Sequence, residues 1–339
     1  MDSICCSSTV NCCSVNPCRL LLCLPYIGSS LLLHELIFSS VTSPAFSAPF
    51  FSIVVPCYNR ADIIQDTVQA ILEQEYKNFE LILVDDGSRD NLREVVTQIT
   101  DSRVRYYYKE NGERGAARNY GAQRALGQYI NFFDSDDEMY PNHLRVVKDF
   151  LDQHGLVEIV HTGYERLDGQ DRVMSEVCEF LGSTNEALLH DNPLACNTVF
   201  VRRDIAQANP FEEDRRLASA EDWELWLRLA TKYTFHPVRQ KTFCLREHDG
   251  RSLNTIAPEA VRARDELFAQ LIRQNPDFAR RFPGQTHKFV ADRYTFITLT
   301  MALSKQHRLK TLRYLWKAVK EDPTVVGRRR FLASVKHLF

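Results

Sequence analysis

Several features are absent from this chain of 339 residues, and each absence excludes a class of protein. The formal net charge is only -2, so no overall positive field favours nucleic acid. No glycine is followed by the Lys-Ser or Lys-Thr pair of a phosphate-binding P-loop. No apolar run reaches the ~20 residues that a membrane-spanning helix needs. With 44% apolar and 25% charged residues, the composition is that of a soluble globular protein.

Cysteine is unevenly distributed along the chain. Six of the ten cysteines lie within the first 23 residues, and the other four are scattered without the spacing of metal ligands. Scattered cysteines are typical of a reducing compartment. We therefore expect the folded part of the chain to be cytoplasmic.

Residues 1–49 show no sustained helical or strand pattern. They are rich in Ser, Cys and Leu, and Arg19, Pro25 and Gly28 interrupt their apolar stretches. A secretion signal would have a basic start and one uninterrupted apolar core. We predict a disordered or spuriously assigned extension, with a palmitoylated or zinc-binding segment as the alternative.

A regular alternation of strands and helices begins at residue 50. It predicts a βαβαβαβ order and therefore an α/β domain with a mostly parallel sheet over residues 50–253, followed by a helical region over 254–339. The predicted strands are Phe51–Pro56, Phe79–Val84, Val104–Tyr108, Tyr129–Phe133, Val157–Tyr164 and Asn197–Arg202. The predicted helices lie at 64–72, 92–99, Arg114–Ala125, Pro141–His154 and Glu221–Lys232, and Leu181–Pro193 is predicted as a loop.

The densest acidic cluster follows the fourth predicted strand. Asp134, Asp136 and Asp137 lie within four residues, and their carboxylates repel one another unless a cation neutralises them. Mg²⁺ and Mn²⁺ prefer oxygen ligands and keep open positions for substrate phosphates. The cluster predicts a divalent cation with a phosphorylated ligand, and a solvated acidic turn is the alternative.

Polar residues also follow the first two strands. Asp85 and Asp86 end the second strand, where a carboxylate can accept hydrogen bonds from a ribose or a base. A pure turn, with Gly87 at its bend, is the alternative for this segment. After the first strand, Tyr58 offers an aromatic face for a nucleobase, and Asn59 is expected to cap the next helix.

Three further candidates come from other segments. Arg118 lies in a stretch of small residues that can approach a diphosphate closely, although an exposed helical charge is equally consistent. Asp222 begins an amphipathic helix and is a candidate general base, while the helix dipole alone would also favour a carboxylate there. His248 is a candidate metal ligand or phosphate contact, with a solvent-exposed histidine as the alternative.

Taken in order, six segments resemble the family 2 inverting glycosyltransferases with the GT-A fold. The resemblance implies a Rossmann-like, mostly parallel sheet flanked by helices, with a helical C-terminal appendage. It also implies transfer of sugar from a nucleotide-diphosphate sugar, with a UDP-sugar expected, to an acceptor hydroxyl in surface polysaccharide or glycolipid assembly. We expect single sugars to be transferred, because the chain lacks the membrane spans and the signature of a processive synthase. The segments are Ser52–Asn59, Val84–Ser88, Asn111–Gly121, Phe132–Asp137, Glu221–Trp223 and Arg246–Ser252.

The same resemblance implies where the donor nucleotide lies. Pro56, Asp86 and Arg118 would surround it, with Asp85 close by. Tyr58 and Asn59 belong to the same strand end and are counted with this group.

It also implies the metal ligands and the base. Asp134 and Asp136 match the DxD pattern of the family, with Asp136 as the first choice for the ligand of Mn²⁺ or Mg²⁺ and Asp137 as the alternative. Asp222 matches the catalytic base, which would deprotonate the attacking hydroxyl.

Two other classes of protein remain as alternatives. A sugar-nucleotide nucleotidyltransferase would carry a Gly-rich basic loop after the first strand, where Cys57, Tyr58 and Asn59 stand instead. A non-catalytic sugar-nucleotide-binding protein would be expected to lack part of the acidic set. We do not expect a processive synthase, because no apolar span and no Gln-x-x-Arg-Trp-like signature follow Asp222 in these 339 residues.

The charge is concentrated at the C-terminal end. Lys305–Phe339 holds ten Lys and Arg residues against two acidic ones, a local charge of +8 that leaves -10 for the rest. Such a segment can contact an anionic membrane surface or a lipid-linked substrate. A solvated helix face is the alternative.

Overall fold

The computed structural model describes residues 48–178, 182–246, 257–304 and 308–338. The strands are β1 (Phe51–Cys57), β2 (Phe79–Asp85), β3 (Val104–Tyr108), β4 (Tyr129–Phe132), β5 (Glu138–Met139), β6 (Ile159–Leu167), β7 (Val173–Val177), β8 (Val199–Arg202) and β9 (Phe235–Arg246). The helices are α1 (Ile64–Leu72), α2 (Leu92–Thr97), α3 (Glu113–Ala122), α4 (His143–His154), α5 (Thr184–Ala187), α6 (Arg203–Ala208), α7 (Glu221–Ala230), α8 (Pro258–Gln274), α9 (Pro276–Arg281), α10 (Gln285–Leu303), α11 (Arg308–Glu321) and α12 (Arg329–Leu338).

Within the described ranges, all strands belong to one sheet in the order β3-β2-β1-β4-β8-β6-β9-β5, with β7 beside β6. The first four strands in chain order are parallel, as predicted, while the later chain adds antiparallel and parallel neighbours. The register sets Cys57 beside Asp85 and Val54 beside Phe132. The polar residues that follow β1, β2 and β4 therefore lie along the same edge of the sheet.

The strands β1, β2 and β4 are almost continuously apolar because helices cover both faces of the sheet. Successive side chains of a strand point to opposite faces. Accordingly, Ile53 and Val55 belong to one hydrophobic core, and Val54 belongs to a second core that contains Trp226 of α7. The predicted α/β architecture is confirmed.

Three strands were not predicted. β5 has only two residues, too few to show a strand pattern in the sequence. β7 is mostly exposed and pairs only with β6, so it has little apolar signal. β9 mixes buried and exposed positions and carries Pro237 near its start. The predicted loop Leu181–Pro193 contains the short helix α5, whose first turn is capped reciprocally by Ser183 and Glu186.

The C-terminal helices form a third hydrophobic core around α10, which contains Val290, Ile297 and Met301. They also reach the first part of the fold, since Phe268 and Phe289 pack edge-on against Trp223 with ring centroids 5.2 and 5.6 Å away. None of the helices in the described ranges is both long and apolar enough to cross a membrane.

The predicted boundary between residues 253 and 254 falls outside the described residues. So do residues 1–47 of the predicted extension. Both assignments stay predictions.

Candidate active site

A cleft of about 1160 Å³ opens at the edge of the sheet where β1, β2 and β4 end. Segments that are far apart in the sequence meet there, from the end of β1 to the start of α7. Of the residues predicted from the sequence, those that line this cleft are Pro56, Tyr58, Asn59, Asp86, Arg118, Asp134, Asp136, Asp137 and Asp222.

Asp86 is held in place by the segment that follows β3. Its Oδ1 accepts hydrogen bonds from Lys109 Nζ (2.6 Å) and from the Gly112 N–H (2.9 Å), and its Oδ2 accepts one from Asn111 Nδ2 (3.2 Å). Gly87 permits this close approach, because it adopts φ +80° and an added Cβ would lie 2.8 Å from the Asn111 nitrogen. The carboxylate is therefore fixed before any ligand arrives. Lys109 was missed by sequence reasoning, although it directly follows a strand that ends at the same edge.

Asp85 has a different environment from its neighbour. Its Oδ1 accepts a hydrogen bond from the Ser88 N–H (2.8 Å) and its Oδ2 accepts one from the Tyr106 hydroxyl (2.6 Å). It is not among the residues that line the cleft. These contacts favour a role in holding the turn after β2, and its predicted place beside the nucleotide stays a prediction.

Arg118 joins three elements at the floor of the cleft. It is 1% exposed, so the alternative of an exposed helical charge is wrong. Its Nη1 donates to Glu221 Oε1 (2.9 Å) at the start of α7, and its Nη2 donates to Asp134 Oδ1 (2.7 Å) after β4. The Arg118 Nε and the Glu221 Oε2 are buried without a hydrogen-bond partner among the described residues. The guanidinium thus ties the acidic cluster to the helix that carries Asp222.

The acidic cluster is shaped by a neighbouring asparagine. Asn197 Nδ2 donates to Asp137 Oδ2 (2.9 Å), and Asn197 Oδ1 accepts from the Asp134 N–H (3.2 Å). Asp136 Oδ2 lies 3.2 Å from a guanidinium nitrogen of Arg60. This role of Asn197 was not predicted, because Asn197 lies some sixty positions after the cluster in the chain.

The same cluster can be tested as a cation site. Across the described ranges, no three His, Cys, Asp or Glu side chains form a group that could hold a metal ion alone. The carboxylate oxygens of Asp136 and Asp137 nevertheless suit Mg²⁺ or Mn²⁺, which often bind one or two carboxylates and complete their shell with water and substrate phosphates. The residues therefore fit a cation that arrives with a diphosphate ligand. His248 lies outside the described residues and stays a prediction.

Asp222 is held by two hydrogen bonds at the start of α7. Its Oδ1 accepts from the Trp223 N–H (2.7 Å) and its Oδ2 accepts from Asn192 Nδ2 (3.0 Å). Burial raises the pKa of this carboxyl to about 6, with the Glu221 carboxylate adding to the rise and Arg118 opposing it. A carboxylate with a raised pKa is a better proton acceptor near neutral pH.

The end of β1 forms one rim of the cleft. Tyr58 is 43% exposed, so its ring is available to a ligand. Asn59 does not cap α1, which begins without a side-chain cap, so that prediction is wrong. Instead, Asn59 Oδ1 accepts from the Arg89 N–H (2.8 Å), and the Asn59 N–H donates to Ser88 Oγ (3.0 Å). Asn59 therefore joins the loops that follow β1 and β2.

A family model and several relatives match this chain. Residues 52–204 match the family model described as glycosyl transferase family 2. An uncharacterized glycosyltransferase of Rickettsia felis is 33% identical over 184 residues, which cover 53% of this chain and 30% of that protein. The UDP-Glc:alpha-D-GlcNAc-diphosphoundecaprenol beta-1,3-glucosyltransferase WfgD of Escherichia coli is 31% identical over 179 residues, covering 52% of this chain and 68% of that protein.

A solved structure shows the same fold. The crystal structure of S. aureus TarS 1-349 in complex with UDP-GlcNAc superposes with a TM-score of 0.65 and 18% identity, covering 85% of this chain and 87% of TarS 1-349. This likeness confirms the GT-A-type fold expected from the sequence. Together with the family model and the relatives, it leads to one conclusion: the chain belongs to glycosyl transferase family 2.

Proposed function

We propose that the chain transfers a single sugar from a nucleotide-diphosphate sugar to an acceptor hydroxyl, with inversion at the anomeric carbon. One observation carries the proposal. A single cleft is lined by a fixed carboxylate (Asp86), an acidic cluster (Asp134, Asp136 and Asp137) and a buried carboxylate with a raised pKa (Asp222). Asp86 suits the nucleoside, the acidic cluster suits the diphosphate, and Asp222 suits the attacking hydroxyl.

For the donor, we propose a UDP-sugar. This is supported by the UDP-Glc in the name of WfgD and by the UDP-GlcNAc bound to TarS. The Asp86 carboxylate can accept hydrogen bonds from the base or the ribose, and the exposed face of Tyr58 can stack on the base. The acceptor would be a glycan or a glycolipid of surface polysaccharide assembly, the kind of molecule that the name of WfgD describes.

A divalent cation, Mn²⁺ or Mg²⁺, is part of the proposal. Asp136 would hold it first, with Asp137 as the alternative, and the donor phosphates would supply further oxygen ligands. When bound, the cation would stabilise negative charge on the departing nucleotide. Arg60 pairs with Asp136 here and would exchange that partner for the donor phosphates.

Asp222 would act as the general base. Its carboxylate accepts the proton of the acceptor hydroxyl while the hydroxyl oxygen forms a bond to the anomeric carbon. The bond between that carbon and the diphosphate oxygen breaks, and its electron pair leaves with the nucleotide. Attack from the face opposite the leaving group gives inversion. The hydrogen bond from Asn192 fixes the carboxylate in position.

The proposal is tested by donor binding. Thermal-shift measurements would compare UDP and a panel of nucleotide sugars with Mn²⁺, Mg²⁺ or EDTA, using the wild type, Asp136→Ala and Asp222→Asn. We expect metal-dependent stabilisation by one nucleotide sugar, lost in Asp136→Ala and kept in Asp222→Asn. If no nucleotide sugar binds with either metal, the transferase proposal is overturned. Binding without transfer to any acceptor would instead favour the non-catalytic alternative.

We also propose that α11 contacts an anionic membrane surface. Leu309, Leu312 and Trp316 are 85%, 40% and 63% exposed, and their spacing puts them on one side of the helix. Exposed basic residues of the same helix, including Arg313 and Lys320, lie beside this apolar stripe. Exposed apolar side chains with basic neighbours are typical of helices that lie in a membrane interface. A cytoplasmic, peripheral location is consistent with this contact and stays part of the proposal.

A further inference from the structure

One end of the cleft is built by the C-terminal helices. Arg264 and Asp265 of α8, Arg293 of α10 and Arg330 of α12 all line it. None of these helices supplies a residue assigned to the donor nucleotide. We call this set of four residues the arginine end of the cleft.

The arginine end lies next to the proposed base. The Arg293 guanidinium stacks on the ring of Trp223 with its carbon 4.4 Å from the ring centroid. Trp223 directly follows Asp222 in α7, and both line the cleft. A group bound at the arginine end would therefore belong to the molecule that presents its hydroxyl to Asp222.

The positive charge at this end is only partly compensated. Asp265 pairs with both Arg264 (3.0 Å) and Arg293 (3.3 Å), so one carboxylate serves two guanidiniums. Arg330 stacks on Phe296 at 5.4 Å and forms no ion pair within the described part of the chain. Among the four residues of the arginine end, three cations face one anion, which gives a local excess of positive charge. Asp292 also lies near Arg293, but it forms an ion pair with Arg328.

Arg293 carries a second sign of an unfilled site. The residue is 5% exposed, and its Nε is buried without a hydrogen-bond partner among the described residues. A buried donor that lacks an acceptor destabilises the fold unless a ligand supplies one. Burial lowers the pKa of Arg293. The carboxylates of Asp265 and Asp292 oppose this effect, while the charges of Arg330 and Arg264 add to it. An anion bound nearby would relieve both the repulsion and the missing hydrogen bond.

We propose that the arginine end binds an anionic group, a phosphate or a carboxylate, of the acceptor close to the hydroxyl that is glycosylated. The inference rests on the proposed function and names the class of acceptor. Arginine suits this role because its planar guanidinium can donate two parallel hydrogen bonds to either anion. The rings of Phe268, Phe296 and Trp223 line the same cleft, and apolar surroundings strengthen the attraction between opposite charges.

The test is a binding measurement on the full chain saturated with UDP and Mn²⁺. Calorimetry would compare glucose 6-phosphate, glucuronic acid and glucose as probes. We expect at least one of the charged sugars to bind at least about tenfold more tightly than glucose, because a charge-assisted hydrogen bond contributes that much affinity. Preference for the phosphate probe indicates a phosphate- or diphosphate-linked acceptor, and preference for glucuronic acid indicates a uronic acid acceptor.

Variants separate this site from a general effect of charge. Arg330→Gln should weaken binding of the preferred charged sugar about tenfold and leave glucose unaffected. Arg264→Gln should do the same, but it also leaves Asp265 with one partner fewer. Arg330→Gln removes no ion pair seen among the described residues. It can therefore still test the inference if Arg264→Gln does not fold. The control is Arg329→Gln, an exposed neighbour on α12 that does not line the cleft.

Two results would overturn the inference. One is equal binding of the three sugars by the wild type. The other is an equal loss of binding in Arg329→Gln and Arg330→Gln. Either result leaves the proposed function standing as long as UDP itself binds. Failure of UDP to bind would instead count against the proposed function.

Discussion

At the scale of single residues, the environment of Asp222 decides what its carboxylate can do. Burial and the neighbouring Glu221 raise its pKa to about 6, and the hydrogen bond from Asn192 acts in the opposite direction. A general base must be ionised to accept a proton. Transfer should therefore decline as the pH falls through about 6.

The first prediction concerns this pH profile. Asn192→Ala removes a donor that stabilises the ionised form, so the pKa of Asp222 should rise and the acidic limb of the profile should move to higher pH. The measurement is the rate of UDP release by the wild type and by Asn192→Ala between pH 5 and 8. Steps of ~0.5 pH unit resolve the titration of a single group. An unchanged limb in Asn192→Ala would contradict the assignment of that limb to Asp222.

The second prediction concerns stability. A carboxyl whose pKa is higher in the folded than in the unfolded state binds more protons when folded, so its contribution to stability falls as the pH rises through this range. Asp222→Asn removes the ionised form and should raise the free energy of unfolding near pH 7.5 by at least about 1 kcal/mol. The gain should shrink near pH 4, where the wild-type carboxyl is largely protonated. Urea unfolding at the two pH values tests this, and an equal effect at both would argue against a raised pKa.

At the scale of secondary-structure elements, the cleft depends on buried contacts between segments. Arg118 of α3 holds both Glu221 of α7 and Asp134 after β4. Removing one partner of a buried ion pair leaves an uncompensated charge in a dry environment. Arg118 therefore contributes to the position of the acidic cluster as well as to any contact with the donor.

The third prediction follows from this bridge. Arg118→Ala should destabilise the protein by about 3–5 kcal/mol, since Glu221 and Asp134 lose their shared partner. Arg172→Ala is a matched control, because it removes an exposed Arg172–Asp168 pair and should leave the urea midpoint unchanged. Similar midpoints for the two variants would show that the bridge contributes little.

The strands and site residues that were predicted correctly are those whose pattern lies within a single short segment of the sequence. Apolar runs that end in Asp or Asn indicated β1, β2 and β4 and their common edge. The contacts that fix these residues come from elsewhere in the chain, as with Lys109 for Asp86 and Asn197 for Asp137. The side-chain amide of Asn197 makes hydrogen bonds that no local spacing encodes. For the same reason, the approach of Arg293 to Trp223 could only be seen after the helices were packed.

At the scale of the whole molecule, the charge is separated along the chain. The acidic cluster lies at the sheet edge, and the excess of basic residues lies in the C-terminal helices. The exposed stripe of Leu309, Leu312 and Trp316 on α11 belongs to this basic part. Such a surface attracts anionic lipids by charge and holds them by apolar contact.

The fourth prediction is that the protein sediments with vesicles containing anionic phospholipid and much less with neutral ones. Trp316→Ser and Leu309→Ser should each weaken this association several-fold, since each removes an apolar contact. Leu156→Ser is the control, because Leu156 is similarly exposed but lies outside the basic helices. Equal binding of all variants, or equal binding to both kinds of vesicle, would contradict the membrane contact and favour a solvated helix face.

The proposed function requires that donor binding and base catalysis share one cleft. The most direct test is the rate of UDP release from the nucleotide sugar that the thermal-shift screen identifies, measured with acceptor for the wild type and Asp222→Asn. We predict that Asp222→Asn binds the donor like the wild type and releases UDP at least about 100-fold more slowly. Release at the wild-type rate by Asp222→Asn would contradict the assignment of the base.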